Sequence, residues 1–176
     1  MLLDTSGLLA YYNADENHHA DAIRLFRGSR NKLTHSYVLA EFVALAQARN
    51  LARRPVLAFL RQLIGHPKVE VVWVDEAHHE EAMRLLESRL DKTYSLCDAV
   101  SFVLMRERGI MEALTTDRHF EQEGFQRLLA MTEVLSENLQ YYYLQYLEDT
   151  KERRTKEKAY ITARFKSRQR HPYGRA

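Results

Sequence analysis

Met1-Leu2-Leu3-Asp4-Thr5-Ser6-Gly7-Leu8-Leu9-Ala10-Tyr11-Tyr12 opens the chain, and the order of residue types predicts a strand, a turn and a helix in succession. A short apolar run ends in a carboxylate, small hydroxyl residues and Gly7 follow, and the apolar spacing then turns helical. The alternation continues downstream. Residues 17–28 read as helix stopped by Gly28, Leu33-Thr34 begins a second strand, and Tyr37 to Ala48 is a strongly apolar helix. Pro55 suits the first turn of a helix over 54–64, which Gly65-His66-Pro67 terminates. Val69 to Val74, rich in valine with Trp73, predicts a strand. Residues 76–90 and 95–108 have helical periodicity, Gly109 closes the second helix, and Ala113 to Thr116 predicts a last short strand before Asp117. Strands alternating with longer helices imply an α/β fold, with a largely parallel sheet covered on both faces. The site of such a sheet lies beyond the carboxyl ends of its strands, where Asp4 and Asp117 fall.

With 176 residues, 45% hydrophobic and 28% charged, the chain has the composition of one soluble domain with an appendage, not of a disordered polymer. No stretch approaches the roughly 20 apolar residues of a membrane span, and no basic segment followed by an apolar block marks the N-terminus, so a cytosolic protein without a membrane partner is expected. The single cysteine, Cys97, forms no internal disulfide and no metal-binding pair, and is expected to be an inert core thiol. Charge is unevenly spread. Residues 1–150 carry 16 basic and 22 acidic side chains, a net −6, whereas residues 151–176 carry 10 and 2, a net +8. A basic tail on an acidic body suits contact with nucleic acid or an acidic surface. The aromatic run Tyr141-Tyr142-Tyr143 lies in a helical pattern from 133 to about 166 that has no Gly or Pro; it fits a helix packed on the body, a partner-binding helix, or an end disordered beyond Asp149.

Carboxylates that stand alone in charge-free runs carry the chemistry. Asp4 is the only charged residue in MLLDTSGLLAYYNA, Glu41 in LTHSYVLAEFVALAQA with His35 neutral, and Asp98 in TYSLCDAVSFVLM, while Asp117 closes ALTTD. An ionised carboxylate in apolar surroundings needs compensation. Helical spacing places Tyr37, Val38, Ala44 and Leu45 around Glu41, an apolar face, and Tyr94, Ser95, Ser101 and Phe102 around Asp98. Acids brought together repel, and a divalent ion with oxygen ligands resolves the conflict. Each acid also has an ordinary alternative: Asp4, Asp98 and Asp117 can cap helices, and Glu41 can pair with Arg49 or Arg53. A cap and a metal ligand can be one side chain. His35, His119 and the pairs His18-His19 and His78-His79 lack the i, i+4 spacing of a helical zinc site and are expected to be solvated or hydrogen-bonded. Nucleophile-elbow and phosphate-loop patterns are absent from the sequence.

Taken in order, Leu3-Asp4-Thr5-Ser6, Val38-Leu39-Ala40-Glu41, Tyr94-Ser95-Leu96-Cys97-Asp98-Ala99-Val100-Ser101, Leu114-Thr115-Thr116-Asp117-Arg118-His119-Phe120 and Gly124-Phe125 resemble a PIN-domain ribonuclease of the VapC toxin type. The resemblance covers roughly residues 1–131 and implies a PIN-like domain there, a parallel sheet with helices on both faces, with residues 132–176 as a helical or partly disordered basic extension. It implies Asp4, Glu41, Asp98 and Asp117 as catalytic acids over Mg2+ or Mn2+, Ser6 and Thr115 as supporting hydroxyls, and Asp4 and Asp98 as the closest metal ligands. Glu41 and Asp117 would then hold a second ion or orient water. The activity implied is metal-dependent hydrolysis of single-stranded or looped RNA, with a cognate antitoxin and homodimerisation as partners. A non-catalytic PIN module that binds RNA or protein is the alternative, favoured by loss of acids, and all four acids are present.

Overall fold

The computed structural model describes residues 1–130 together with Lys151 and Thr155. Five strands, β1 (Leu2–Leu3), β2 (Lys32–His35), β3 (Val69–Val72), β4 (Glu112–Leu114) and β5 (Gln126–Arg127), form one parallel sheet in the order β3-β2-β1-β4-β5. Seven helices connect them: α1 (Thr5–Tyr12), α2 (His19–Gly28), α3 (Ser36–Ala48), α4 (Arg53–Ile64), α5 (Glu76–Ser88), α6 (Leu96–Glu107) and α7 (His119–Gln122). Met1–Ala130 form one compact unit. No helix among the described residues is long and apolar enough to cross a membrane.

Successive strand residues point to opposite faces, and the two cores follow from that period. Leu3 and Leu114 pack with Leu8, Phe26, Val38, Phe42 and Leu60 beneath α1 to α4. Leu2, Leu33 and Ala113 pack with Phe102, Leu104, Met105 and Phe120 beneath α5 to α7. Fully burying side chains such as Phe42, Phe102 and Phe120 stabilises the fold by about 1.5–3 kcal/mol each. A helix layer on either side explains why β1 is apolar at both positions.

The short joint from β1 into α1 decides where the acids go. Asp4 leaves the strand extended, caps α1 through its side chain, and its carbonyl accepts the first helical bond from Leu8 N at 2.8 Å. Gly7 then lets α1 lie against β4, since a Cβ there would stand 1.8 Å from the Leu114 carbonyl oxygen. At the far end of α6, Gly109 takes φ 60°, and Ile110 N closes the helix on the Met105 carbonyl at 2.8 Å.

Three expectations change. β3 ends at Val72 instead of Val74, because its only neighbour among the described residues is β2, which pairs through His35↔Val72 and then turns into α3. Trp73 is left 66% exposed. The strand before Asp117 is Glu112–Leu114, so it stops earlier than Thr116 and Asp117 sits on the loop that follows. It is not the last strand either: Gln126–Arg127 adds β5 beside it. The helical pattern over 133–166 lies outside the described residues.

Candidate metal centre

Asp4, directly after β1, is 5% exposed and is enclosed by hydroxyls. Its Oδ2 accepts from Thr115 Oγ1 at 2.7 Å and from Ser6 Oγ at 2.8 Å. Each hydroxyl has one proton to give, so both give it to Asp4 and are free to accept from the next loop. Thr116 N donates to Ser6 Oγ at 3.0 Å, and Asp117 N donates to Thr115 Oγ1 at 2.9 Å. The loop after β4 is thereby fastened to Asp4, which brings Asp117 to the same end of the sheet. Burial pushes the Asp4 carboxyl up to about 6; the Thr115 and Ser6 hydrogen bonds work against that rise, and the charge of Asp98 adds to it.

Asp98 is the third residue of α6 and half of a capping box. Its Oδ2 accepts from Ser95 N at 2.8 Å and from Ser95 Oγ at 2.9 Å, while Asp98 N donates back to Ser95 Oγ at 3.0 Å. Burial raises its pKa, the bonds from Ser95 oppose the rise, and Asp117 raises it further. In both Asp4 and Asp98 one oxygen takes all the hydrogen bonds, and Oδ1 accepts none among the described residues.

Asp117 turns its Oδ1 to His119 N at 2.8 Å, leaving Oδ2 toward the cluster. One ligand atom each from Asp98, Asp117 and His119 lie within 4.8 Å of one another. Glu41 differs from expectation, for its residue is exposed although its sequence neighbours are apolar. It stands on the second turn of α3 at the open side of the site, where Thr5 Oγ1 donates to Glu41 Oε2 at 2.5 Å. It does not pair with Arg49, which bonds to Glu16 at 3.0 Å. Cys97 is buried beside these acids, and burial, then Glu41, push its thiol pKa upward, so the thiol stays protonated and unreactive.

Sequence reasoning missed Thr5, Ser95 and His119. Thr5 and Ser95 stand within three residues of an acid, which is the signal that was available; nothing local says that His119 faces Asp98. His35, fully buried, bonds to Ser101 Oγ at 2.8 Å, and burial holds its pKa down at about 4. His79 bonds to the Tyr37 hydroxyl at 2.8 Å, and His78 lies against Asp75 and Glu107.

The donors fit a hard divalent cation: carboxylates with one free oxygen each, two of them raised in pKa by burial and by a neighbouring negative charge, and an imidazole nitrogen among them.

A parallel five-stranded sheet with acids gathered past its carboxyl ends is what a PIN domain presents, and the PIN domain family matches residues 1–125. The chain is 33% identical over 126 residues to the 23S rRNA-specific endonuclease VapC20 of Mycobacterium tuberculosis, covering 71% of this chain and 95% of that protein. It is 35% identical over 122 residues to the ribonuclease VapC26 of the same organism, covering 68% and 89%. The crystal structure of VapC20, a sarcin-ricin loop cleaving toxin, superposes with a TM-score of 0.65 at 31% identity, over 70% of this chain and 95% of that one. The chain therefore belongs to the PIN-domain family and, within it, to the VapC-type ribonuclease toxins.

Proposed function

We propose that this protein is a divalent-metal-dependent endoribonuclease that hydrolyses phosphodiester bonds in single-stranded or looped RNA and acts as the toxin of a toxin–antitoxin pair. The observation that carries the reading is that Asp98 and Asp117 offer ligand atoms within 4.8 Å of one another, while Asp4, held through Thr115 to the loop that carries Asp117, stands near enough for the charge of Asp98 to raise its pKa. Asp4, Asp98 and Asp117 would hold Mg2+ or Mn2+ directly, and Glu41 would hold a second ion or contact it through water. When bound, such an ion lowers the pKa of water and offsets charge on the scissile phosphate.

The chain's own groups then have separate tasks. Ser6 and Thr115 fix the Asp4 carboxylate in its ionised form by donating to it. Ser95 fixes Asp98. Glu41, exposed and steadied by Thr5, would orient the attacking water or hold a second ion. Attack by water leaves a 5′-phosphate and a 3′-hydroxyl. Looped or single-stranded RNA suits an open site of this kind, because splayed bases and backbone reach a groove that an A-form duplex cannot enter; the two named relatives act on ribosomal RNA or are named as ribonucleases. A domain boundary near residue 131, a cognate antitoxin, a homodimer and a cytosolic place of action belong to the same proposal.

Incubating the purified protein with an unstructured RNA and a looped RNA, with Mg2+, with Mn2+ and with chelator, tests it. Cleavage with either ion, none with chelator, and 5′-phosphate ends are expected. Cleavage that survives chelation, or products with 2′,3′-cyclic phosphate, would overturn it.

A further inference from the structure

His119 opens α7 next to Asp117, and its ring is held on three sides. Nε2 lies 3.2 Å from Thr93 Oγ1. The Tyr94 ring meets it edge-on, with centroids 5.1 Å apart and planes at 68°. Tyr94 is itself tethered, its hydroxyl donating to Glu123 Oε1 at 3.1 Å while Arg89 and Arg106 pair with the same buried carboxylate. The third side is the acid cluster: Nδ1 is 3.3 Å from Asp117 Oδ2 and 3.6 Å from Asp98 Oδ2.

Nδ1 is buried and has no hydrogen-bond partner among the described residues. A proton on Nδ1 would thus meet neither carboxylate at hydrogen-bonding geometry. With Nε2 taken up by Thr93, Nδ1 is the ring nitrogen left facing the Asp117 and Asp98 carboxylates, so an ion placed there would meet one nitrogen together with oxygen donors. A histidine that donates one ring N–H to an oxygen and turns the other nitrogen toward negative ligands is the usual form of a metal-bound imidazole. The 3.3 Å between Nδ1 and Asp117 Oδ2 agrees, since an octahedral ion with bonds of about 2.1 Å sets neighbouring donors about 3 Å apart.

We propose that His119 Nδ1 is a nitrogen ligand of the divalent ion at this site, and that the centre consequently prefers a first-row ion such as Mn2+ to Mg2+. The inference rests on the metal-dependent reading above and narrows it. Magnesium demands oxygen donors in a strict octahedron and keeps its waters, whereas imidazole suits transition ions.

The test uses the full chain and Mn2+ itself. Electron spin-echo envelope modulation of bound Mn2+ should show 14N coupling in the wild type and none in His119→Gln. Titration calorimetry should show that His119→Gln loses at least about tenfold in Mn2+ affinity, the scale on which even outer-shell partners of a metal site act, and less than about threefold for Mg2+. Bound Mn2+ without nitrogen coupling in the wild type overturns the inference and leaves the nuclease reading standing. Equal losses for the two ions in the variant also overturn it. Failure of the wild type to bind Mn2+ at neutral pH overturns the metal-dependent reading together with this inference. The wild-type spectrum alone decides the matter if His119→Gln does not fold.

Discussion

Asp98 serves the helix and the proposed site through different oxygens, and Asp98→Asn separates those duties. The amide keeps an oxygen for Ser95 at the capping box, loses favourable charge at a helix N-terminus, and relieves repulsion with Asp117. Cleavage with Mg2+ should disappear while the unfolding free energy in urea changes by no more than about 1 kcal/mol; undiminished cleavage would remove Asp98 from the metal centre. Asp4 yields a pH prediction. Its folded pKa of about 6 lies above the ordinary 3.8, so its protonated form favours folding; that contribution is fully present below pH 3.8 and is lost as pH rises through about 6. His35, lowered from 6.5 to about 4, works in the opposite sense, its contribution being present above pH 6.5 and lost as pH falls toward 4. The difference in Tm between metal-free Asp4→Asn and metal-free wild type cancels His35 and should grow in favour of the variant from pH 4 to 7. A difference that stays flat would mean that Asp4 is not raised. At this scale the sequence was legible where charge stood alone: Asp4, Asp98 and Asp117 were visible as single carboxylates in apolar runs. The exposure of Glu41 was not, because helical spacing names its neighbours on α3 but not the side of α3 that the rest of the fold leaves open. His119 was hidden because its facing acid, Asp98, lies on another helix.

Between elements, the contact of α1 with β4 is the most constrained. A methyl at position 7 would meet the Leu114 carbonyl oxygen at 1.8 Å and its carbon at 2.5 Å, both backbone atoms that cannot move aside. Gly7→Ala should therefore cost more than about 2 kcal/mol in denaturant unfolding, and should also weaken Mn2+ binding by lifting Asp4 from Thr115. A loss below about 0.5 kcal/mol would show that α1 shifts freely. The helices were readable because their apolar periodicity is long and their stops are Gly or Pro. Strand ends were not, because they depend on neighbours. Nothing in Val69 to Val74 says that β2 supplies only four partners. β5 is two residues, Gln126 and Arg127, without β-branched character, and it exists because β4 offers an open edge.

For the whole molecule the charge asymmetry between 1–150 and 151–176 sets the expectation. Deleting residues 151–176 removes 10 basic side chains, and should weaken RNA binding across sequences and flatten its salt dependence, since fewer counterions are released. Cleavage at saturating RNA should persist. Unchanged affinity and slope over a salt series would exclude a backbone contact by this segment. The fold class was legible at this scale from the alternation of strands and helices alone, whereas sheet order was not, for no local signal tells β1 to lie between β2 and β4. That order has a consequence for how the protein is made. Of the five described strands β1 leaves the ribosome first, but its neighbour β4 and the residues that fasten Asp4, Thr115 above all, are among the last of the domain. A nascent chain that has emerged only through residue 110 holds Asp4, Glu41 and Asp98, but β1 has β2 on one side only, without β4 on the other, and Asp117 is missing. At about 5–20 residues per second, the acid cluster of a domain wired in this way stays incomplete through most of its synthesis and is closed only when its last strands arrive.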